Sequence, residues 1–145
     1  MSYLKSLQIC ASGLSAQRLR INLISNNLAN INTTRTPEGG PYQKKEPIFE
    51  ASPIQSNFQD ELNVHMEDNL SEVNVVELVS DKRPPLLEYD PDHPDANSDG
   101  YVKKPNISIL EEMVDLMAAS RSYEANVKAA NATKNMILKA LEIGK

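Results

Sequence analysis

The chain has no tryptophan and only two phenylalanines, Phe49 and Phe58, among its 145 residues. Five tyrosines complete the aromatics, so large core fillers are scarce. A chain of this length folded as one compact body buries about two-thirds of its unfolded surface. Here the apolar content is mostly Ala, Leu, Ile and Val of the two terminal segments, which predicts ends that need partner chains to be fully buried. A single cysteine, Cys10, excludes an internal disulfide. Proline is missing from both ends: all nine lie between Pro37 and Pro105. Acid is missing from residues 1–36, where Lys5, Arg18, Arg20 and Arg35 give a net charge of +4.

The acids gather in the middle. Residues 37–105 carry 15 acidic and 6 basic side chains, a net −9, and residues 106–145 carry five of each. An acidic centre argues against nucleic acid, whose phosphates need clustered Lys and Arg, and the Lys44-Lys45 pair is too small to be such a cluster. No apolar run reaches the roughly 20 residues that span a bilayer, so no direct membrane insertion is expected. The N-terminus lacks the apolar stretch and small-residue cleavage site of a secretory signal. Its acid-free, Arg- and Ser-containing composition shares features with a mitochondrial transit peptide, but its pattern is regular enough to belong to the mature fold.

What is present is helical periodicity at both ends. Leu7, Leu14, Ile21 and Leu28 repeat every seven residues. Leu4, Cys10, Ile24 and Ile31 fill the offset positions, with Gln17 as the polar exception. Such 3–4 spacing predicts a packed helix from Leu4 to Ile31, roughly 40 Å long at 1.5 Å per residue. Cys10 fits this face as a small core residue. Nothing in the sequence ties it to His65 or His93 as a nucleophile. Gly13 either admits a neighbouring helix closely or is simply tolerated, at about 1 kcal/mol relative to Ala. The segment closes on Ser25-Asn26-Asn27-Leu28-Ala29-Asn30-Ile31-Asn32-Thr33-Thr34. Asn side chains compete for backbone hydrogen bonds, so this run predicts a helix end followed by a loop, or a fixed set of polar contacts where the helix stops.

At the other end Ser108-Ile109-Leu110-Glu111 reads as a capping box, with Pro105 just ahead of it. Ile109, Met113, Leu116, Ser120, Tyr123, Val127, Ala130, Lys134, Ile137 and Leu141 then follow alternating steps of four and three. That predicts a helix roughly 50 Å long, stopped by Gly144. The two terminal helices are close enough in length to pair along their seams. The expected assembly seam is Leu7, Leu14, Ile21 and Leu28 with Met113, Leu116, Tyr123, Val127, Ile137 and Leu141. Off-seam apolar residues (Leu110, Val114, Met117, Met136, Leu138, Ile143) either fill the chain's own core or meet neighbouring chains; the thin middle favours neighbours.

In the middle, Pro37-Glu38-Gly39-Gly40-Pro41 is a turn. Tyr42 to Glu50 reads as a short strand, kept off a sheet centre by Pro47. Residues 51–72 read as a flexible loop, Val73 to Val79 as a strand with a bulge, and Leu86 to Tyr89 as a third strand. Asp95, Asn97, Asp99 and Gly100 match the first half of an EF-hand calcium loop. The second half fails: Asn106 stands where a bidentate Glu is needed, Lys103 occupies the ninth position, and Pro94 and Pro105 disfavour flanking helices. Asx-type turns account for the same residues without a metal, and no cofactor is implied.

The fold class is therefore mainly α with a small β-containing insertion: long N- and C-terminal helices paired coiled-coil-like, around an irregular Pro-rich middle with short antiparallel strands. Residues 1–36 and 106–145 form a discontinuous helical assembly domain, and residues 37–105 the acidic middle. No Gly-rich phosphate loop, Cys/His metal set or paired carboxylates of defined geometry point to an enzyme. A cytosolic coiled-coil adaptor or export chaperone also explains the helices and the acidic middle, and a metal module centred on Asp95 and Asp99 is a third reading. Neither explains the remaining motifs. Asn27-Leu28-Ala29-Asn30 followed by Thr33 resembles the N-terminal signature of bacterial flagellar rod and hook proteins. The Pro41-Tyr42 turn, the Tyr89-x-Pro-x-His-Pro run and Gly100-Tyr101-Val102-Lys103-x-Pro105-Asn106 resemble a rod protein of the basal body in particular. So does Ser120-Arg121-Ser122-Tyr123-Glu124-Ala125-Asn126-Val127, followed by Lys134-Asn135-Met136. The resemblance implies a structural subunit without catalytic residues or cofactors. It implies export through the flagellar type III apparatus without a cleaved signal peptide, and assembly with itself and other rod subunits into a torque-transmitting proximal rod in the periplasm.

Overall fold

The structure is a computed structural model that describes residues 3–54 and 70–143. Most of the loop expected over residues 51–72, His65 and the expected helix stop at Gly144 lie outside the described residues. Helix α1 runs Tyr3–Ala29 and helix α2 runs Ile109–Ile143. Between them come β1 (Lys45–Pro53), β2 (Ser71–Ser80), β3 (Leu86–Tyr89) and β4 (Tyr101–Lys104). The chain is mainly helical with a small β part, as its periodicity predicts.

Local chemistry sets the boundaries. Pro105 precedes α2, and the Ser108 carbonyl accepts the Glu112 N–H at 3.1 Å. The Ser108 hydroxyl accepts the Glu111 N–H at a long 3.5 Å, one arm of the expected capping box. Glu111 and Glu112 in the first turn complement the positive end of the helix dipole. At the end of α1, Asn30 closes the last turn twice: its N–H and its Nδ2 both donate to the Asn26 carbonyl, at 3.1 and 2.9 Å.

The strands form two two-stranded sheets, β1 with β2 and β3 with β4. The second pair is antiparallel, with Leu86 opposite Lys104 and Tyr89 opposite Tyr101. Strand β4 is the element the sequence did not announce. Its Tyr101-Val102-Lys103-Lys104 alternates, but four residues among prolines and lysines carry little strand signal on their own. Gly100 makes the return possible. Its φ of 80° is a left-handed conformation that suits glycine, and an added Cβ would stand 2.9 Å from the Tyr89 ring.

The chain divides into two compact units, Met1–Arg18, Ile48–Glu77 and Ser120–Lys145 in one and Leu19–Pro47 and Leu78–Ala119 in the other. In the first unit the described buried apolar residues are only Ala16 and Ile54. Gly13 of α1 lies against Asn126 of α2 there, so close that a Cβ at Gly13 would come within 2.9 Å of the Asn126 Nδ2. Of the two readings of Gly13, the structure thus favours close helix approach. Gln8 Nε2 donates to Glu72 and the Val73 N–H donates to the Ser12 hydroxyl, holding β2 to α1. In the second unit Leu23 and Ile24 of α1, Val102 of β4, Ile107 and Ala119 of α2 form the buried core.

The buried face of α2 is centred one residue away from its most apolar row. Glu112, Ala119 and Thr133 are buried, with Leu116, Tyr123, Asn126, Ala130 and Ile137 half-buried beside them. Ile109, Met113 and Leu141 of the apolar row are exposed.

Candidate functional site

Asn27 sits at the last full turn of α1 and is 1% exposed. An asparagine side chain has two N–H donors and one carbonyl oxygen with two acceptor sites. All four are used here. Nδ2 donates to the Lys45 carbonyl at 3.1 Å and to Glu112 Oε2 at 3.2 Å. Oδ1 accepts from the Tyr42 hydroxyl at 3.1 Å and from the Lys45 N–H at 3.0 Å. One side chain thereby ties the end of α1 to the start of β1 and to the first turn of α2. Burial is tolerable because no capacity is left unmet.

Glu112 and Lys44 complete the junction. Glu112 is 1% and Lys44 9% exposed. Lys44 Nζ stands 2.8 Å from Glu112 Oε1 and 2.7 Å from Glu46 Oε1. Lys44 Nζ is the cation beside the buried Glu112 Oε1, and its charge compensates that oxygen. Burial alone pulls the Lys44 ammonium toward its neutral form, but the Glu112 and Glu46 carboxylates outweigh it and hold its pKa above the ordinary lysine value. Burial, helped by the charge of Glu112, likewise raises the Tyr42 phenol. The Lys44 carbonyl accepts the Asp81 N–H at 2.8 Å. Asp81 in turn accepts from the Arg83 backbone N–H and guanidinium, which keep its carboxyl below the usual range.

The rest of the motif shapes the turn that brings Tyr42 back. The Thr33 N–H donates to the Asn30 carbonyl at 3.0 Å, and its hydroxyl to Asn30 Oδ1 at 3.2 Å. The Tyr42 N–H donates to the Thr33 carbonyl at 3.0 Å. Thr36 and Gly40 close the loop between them through the Thr36 N–H and the Gly40 carbonyl, 2.9 Å apart. Asn30 and Thr33 therefore set the path along which Tyr42 to Lys45 return to Asn27. Leu28 is half-buried and Ala29 exposed. Sequence reasoning singled out Asn27, Leu28, Ala29, Asn30 and Thr33 but missed Tyr42, Lys44 and Glu112 as their partners. The available signal was the row Glu112, Ala119, Asn126, Thr133, small or polar residues at seven-residue spacing on an otherwise apolar helix.

The other expected seam residues divide. Leu7, Leu14, Ile21, Leu116, Tyr123, Val127 and Ile137 are half-buried, whereas Met113 and Leu141 are exposed. Arg20 of α1 reaches Asp115 of α2 at 3.3 Å. In the second unit Ile109, Leu110, Met113, Val114 and Met117 are all 49–74% exposed, an apolar row on the outer side of α2. In the first unit Met136, Leu138, Leu141 and Ile143 are exposed likewise. Cys10 is half-buried in α1.

The calcium-like segment is occupied by its own turn. Asn97 Oδ1 accepts the Asp99 and Tyr101 N–H groups at 3.0 and 2.8 Å. Asp95 Oδ2 accepts the Thr34 hydroxyl at 2.7 Å. Among the described residues, no group of three or more His, Cys, Asp or Glu could hold a metal ion, and no helix is long and apolar enough to cross a membrane.

Residues 7–35 match the family described as flagella basal body rod protein, and residues 98–143 match the flagellar basal body rod FlgEFG protein C-terminal family. These two stretches hold the Asn27 motif and helix α2. Over its whole length the chain is similar to the flagellar basal-body rod protein FlgC of Bacillus subtilis, at 45% identity covering 100% of each chain. It is 42% identical to that of Borreliella burgdorferi, covering 99% of this chain and 98% of the relative. It is 37% identical to that of Salmonella typhimurium, covering 99% of each. Identity of this extent, on a chain that carries the rod motif at a saturated helix junction, shows that the chain belongs to the FlgC family of flagellar basal-body rod proteins and is a structural rod subunit of the flagellar basal body.

Proposed function

We propose that the chain polymerises with itself and with related rod subunits to build the proximal part of the rod, the drive shaft through which torque passes. The observation that carries this is the exposed apolar row Ile109, Leu110, Met113, Val114 and Met117 on α2. Contiguous exposed apolar surface marks an interaction site. Burying one such side chain is worth roughly 1.5–3 kcal/mol, so a few of them per contact suffice to hold a subunit in an assembly. Heterologous contacts that do not close into a ring build a helical structure, as a rod requires. In this reading residues 1–36 and 106–145 form the assembly domain, with their helices paired coiled-coil-like and Leu7, Leu14, Ile21, Leu28, Met113, Leu116, Tyr123, Val127, Ile137 and Leu141 as its seam.

The subunit reaches its place through the flagellar type III export apparatus, without a cleaved signal peptide, and works in the periplasmic rod. Catalysis has no part in this, and neither does a cofactor. Deleting the gene in the source bacterium and viewing basal bodies by electron microscopy tests the role. Basal structures without rod and hook are expected, restored by the wild-type gene and not by a Leu110→Asp/Met113→Asp variant. Complete flagella on the deletion strain would overturn the reading.

A further inference from the structure

The apolar rows of the two helices are periodic, so apolar packing of one helix on the other leaves their register ambiguous. Leu7, Leu14, Ile21 and Leu28 recur every seven residues on α1, and Leu116, Tyr123, Ala130 and Ile137 do so on α2. A slide of α2 by seven residues, roughly 10 Å at 1.5 Å per residue, would again set apolar side chains opposite apolar side chains. Apolar burial is non-directional and distinguishes such registers poorly. The polar contacts are not periodic. Asn27 meets Glu112, and the residue seven further along α2 is Ala119.

We propose that the buried Lys44–Glu112 pair, with Asn27 bonded to Glu112, is a register key that selects one alignment of α2 against the end of α1. In the native alignment Glu112 accepts from Asn27 and neutralises Lys44. In the slipped alignment Ala119 would face both. Asn27 would lose an acceptor, and Lys44 would stay buried with its innermost counter-charge gone. Breaking a buried pair by removing one partner is far more damaging than replacing both by apolar groups. A lone polar residue in a helix interface is the best-attested device for fixing register. The native alignment therefore wins by what the slipped one leaves unpaired. Lys44 also belongs to the segment that returns from the Thr33 turn, so the key closes only once that segment has folded back. An alignment reached earlier by apolar packing alone is not held by the key, and it can still exchange until that segment returns. For the rod, whose subunits must present identical surfaces, Lys44 and Glu112 are positioning residues rather than contact residues.

The test uses the full-length chain with Cys10→Ser and a short bifunctional thiol reagent. Arg20→Cys with Asp115→Cys reports the native register, since those side chains meet at 3.3 Å. Arg20→Cys with Ser122→Cys reports the slipped one. With Lys44 and Glu112 intact, only the 20–115 pair should cross-link. In Lys44→Met/Glu112→Leu, both pairs should cross-link at comparable yield while circular dichroism retains the helical signal. The variant Lys44→Met/Glu112→Gln keeps an acceptor for Asn27 and guards against a failure to fold. It should give more 20–122 product than the parent and less than the fully apolar pair. If the variants that fold give the 20–115 product alone, apolar packing sets the register and the proposal is overturned.

Discussion

At the residue scale, Asn27 is the point where most contacts converge. Replacing it with Ala would strip the Lys45 N–H, the Tyr42 hydroxyl and Glu112 of a partner at once. Each buried group left unsatisfied costs about 1–3 kcal/mol, so Asn27→Ala should destabilise the chain by on the order of 2–4 kcal/mol. For a chain of this size that lowers the melting temperature by roughly 2–4 °C per kcal/mol, readable by thermal circular dichroism. Asn27→Asp should be at least as damaging, because it sets a second carboxylate against Glu112 and removes both donors. A melting temperature within 2 °C or so of wild type for Asn27→Ala would mean that water replaces the side chain at little expense. The junction also predicts a pH dependence. Lys44 and Tyr42 both have folded pKa values above their ordinary 10.5 and 10.0. A raised folded value contributes stability that is complete below the unfolded value and is lost as pH rises through the folded one. Stability should therefore fall on the alkaline side of the ordinary lysine and tyrosine range. The fall should be shallower in Lys44→Met/Glu112→Leu combined with Tyr42→Phe. Chemical denaturation at a series of alkaline pH values measures both slopes, and equal slopes would remove these groups from the explanation.

At the element scale, the hairpin of β3 and β4 depends on Gly100. The Tyr89 and Tyr101 rings pack edge to face with centroids 5.3 Å apart, and Gly100 supplies the turn that sets them opposite each other. Gly100→Ala meets two penalties, a left-handed φ and a Cβ 2.9 Å from the Tyr89 ring. Left-handed strain in a residue with a Cβ costs about 1–2 kcal/mol. The expected outcome is a weakened tyrosine near-ultraviolet dichroism with the far-ultraviolet helix signal kept; an unchanged near-ultraviolet spectrum would show that the turn accommodates the methyl group. The same hairpin shows what the sequence could and could not tell. Leu86 to Tyr89 was legible as a strand, since its apolar residues stand between turn formers. Tyr101–Lys104 was not, because a four-residue strand is defined by its partner more than by its own composition. The helices were legible from periodicity and caps, but the buried face of α2 was displaced from its apolar row. Periodicity counts apolar residues, and here the inward positions are Glu112, Asn126 and Thr133. Each is accommodated by a contact remote in sequence or within the helix: Lys44 for Glu112, Gly13 for Asn126, and the Ala129 carbonyl for the Thr133 hydroxyl. A one-dimensional pattern carries no record of such partners, so the Asn27 motif was visible while Lys44 and Glu112 were not.

At the scale of the whole molecule, the two units differ in how much they bury. Leu19–Pro47 with Leu78–Ala119 holds Leu23, Ile24, Val102, Ile107 and Ala119 together with the saturated Asn27 junction. The described part of the other unit buries Ala16 and Ile54 as its apolar core and relies on exposed polar bonds such as Gln8 to Glu72. Local opening free energy follows buried apolar contact and protected hydrogen bonds. In the isolated chain, amide exchange should therefore be slower in Leu19–Ala29 and Ile109–Ala119 than in the outer parts of the same helices, residues 4–18 and 120–143. The difference arises within single continuous helices, so helix length does not supply it. On incorporation into the rod, neighbours that cover Met136, Leu138, Leu141 and Ile143 should slow exchange in the outer parts most. A helix end that is loosely held alone and secured by its neighbours couples subunit order to assembly: the segment is kept from premature association by the entropy of ordering it, and that entropy is offset only where partners are in place. Hydrogen exchange followed by mass spectrometry on the purified chain and on isolated basal bodies compares the two states peptide by peptide. Uniform protection along both helices in the isolated chain would show that the ends are already fixed before assembly, and the coupling would then have to come from the exposed apolar row alone.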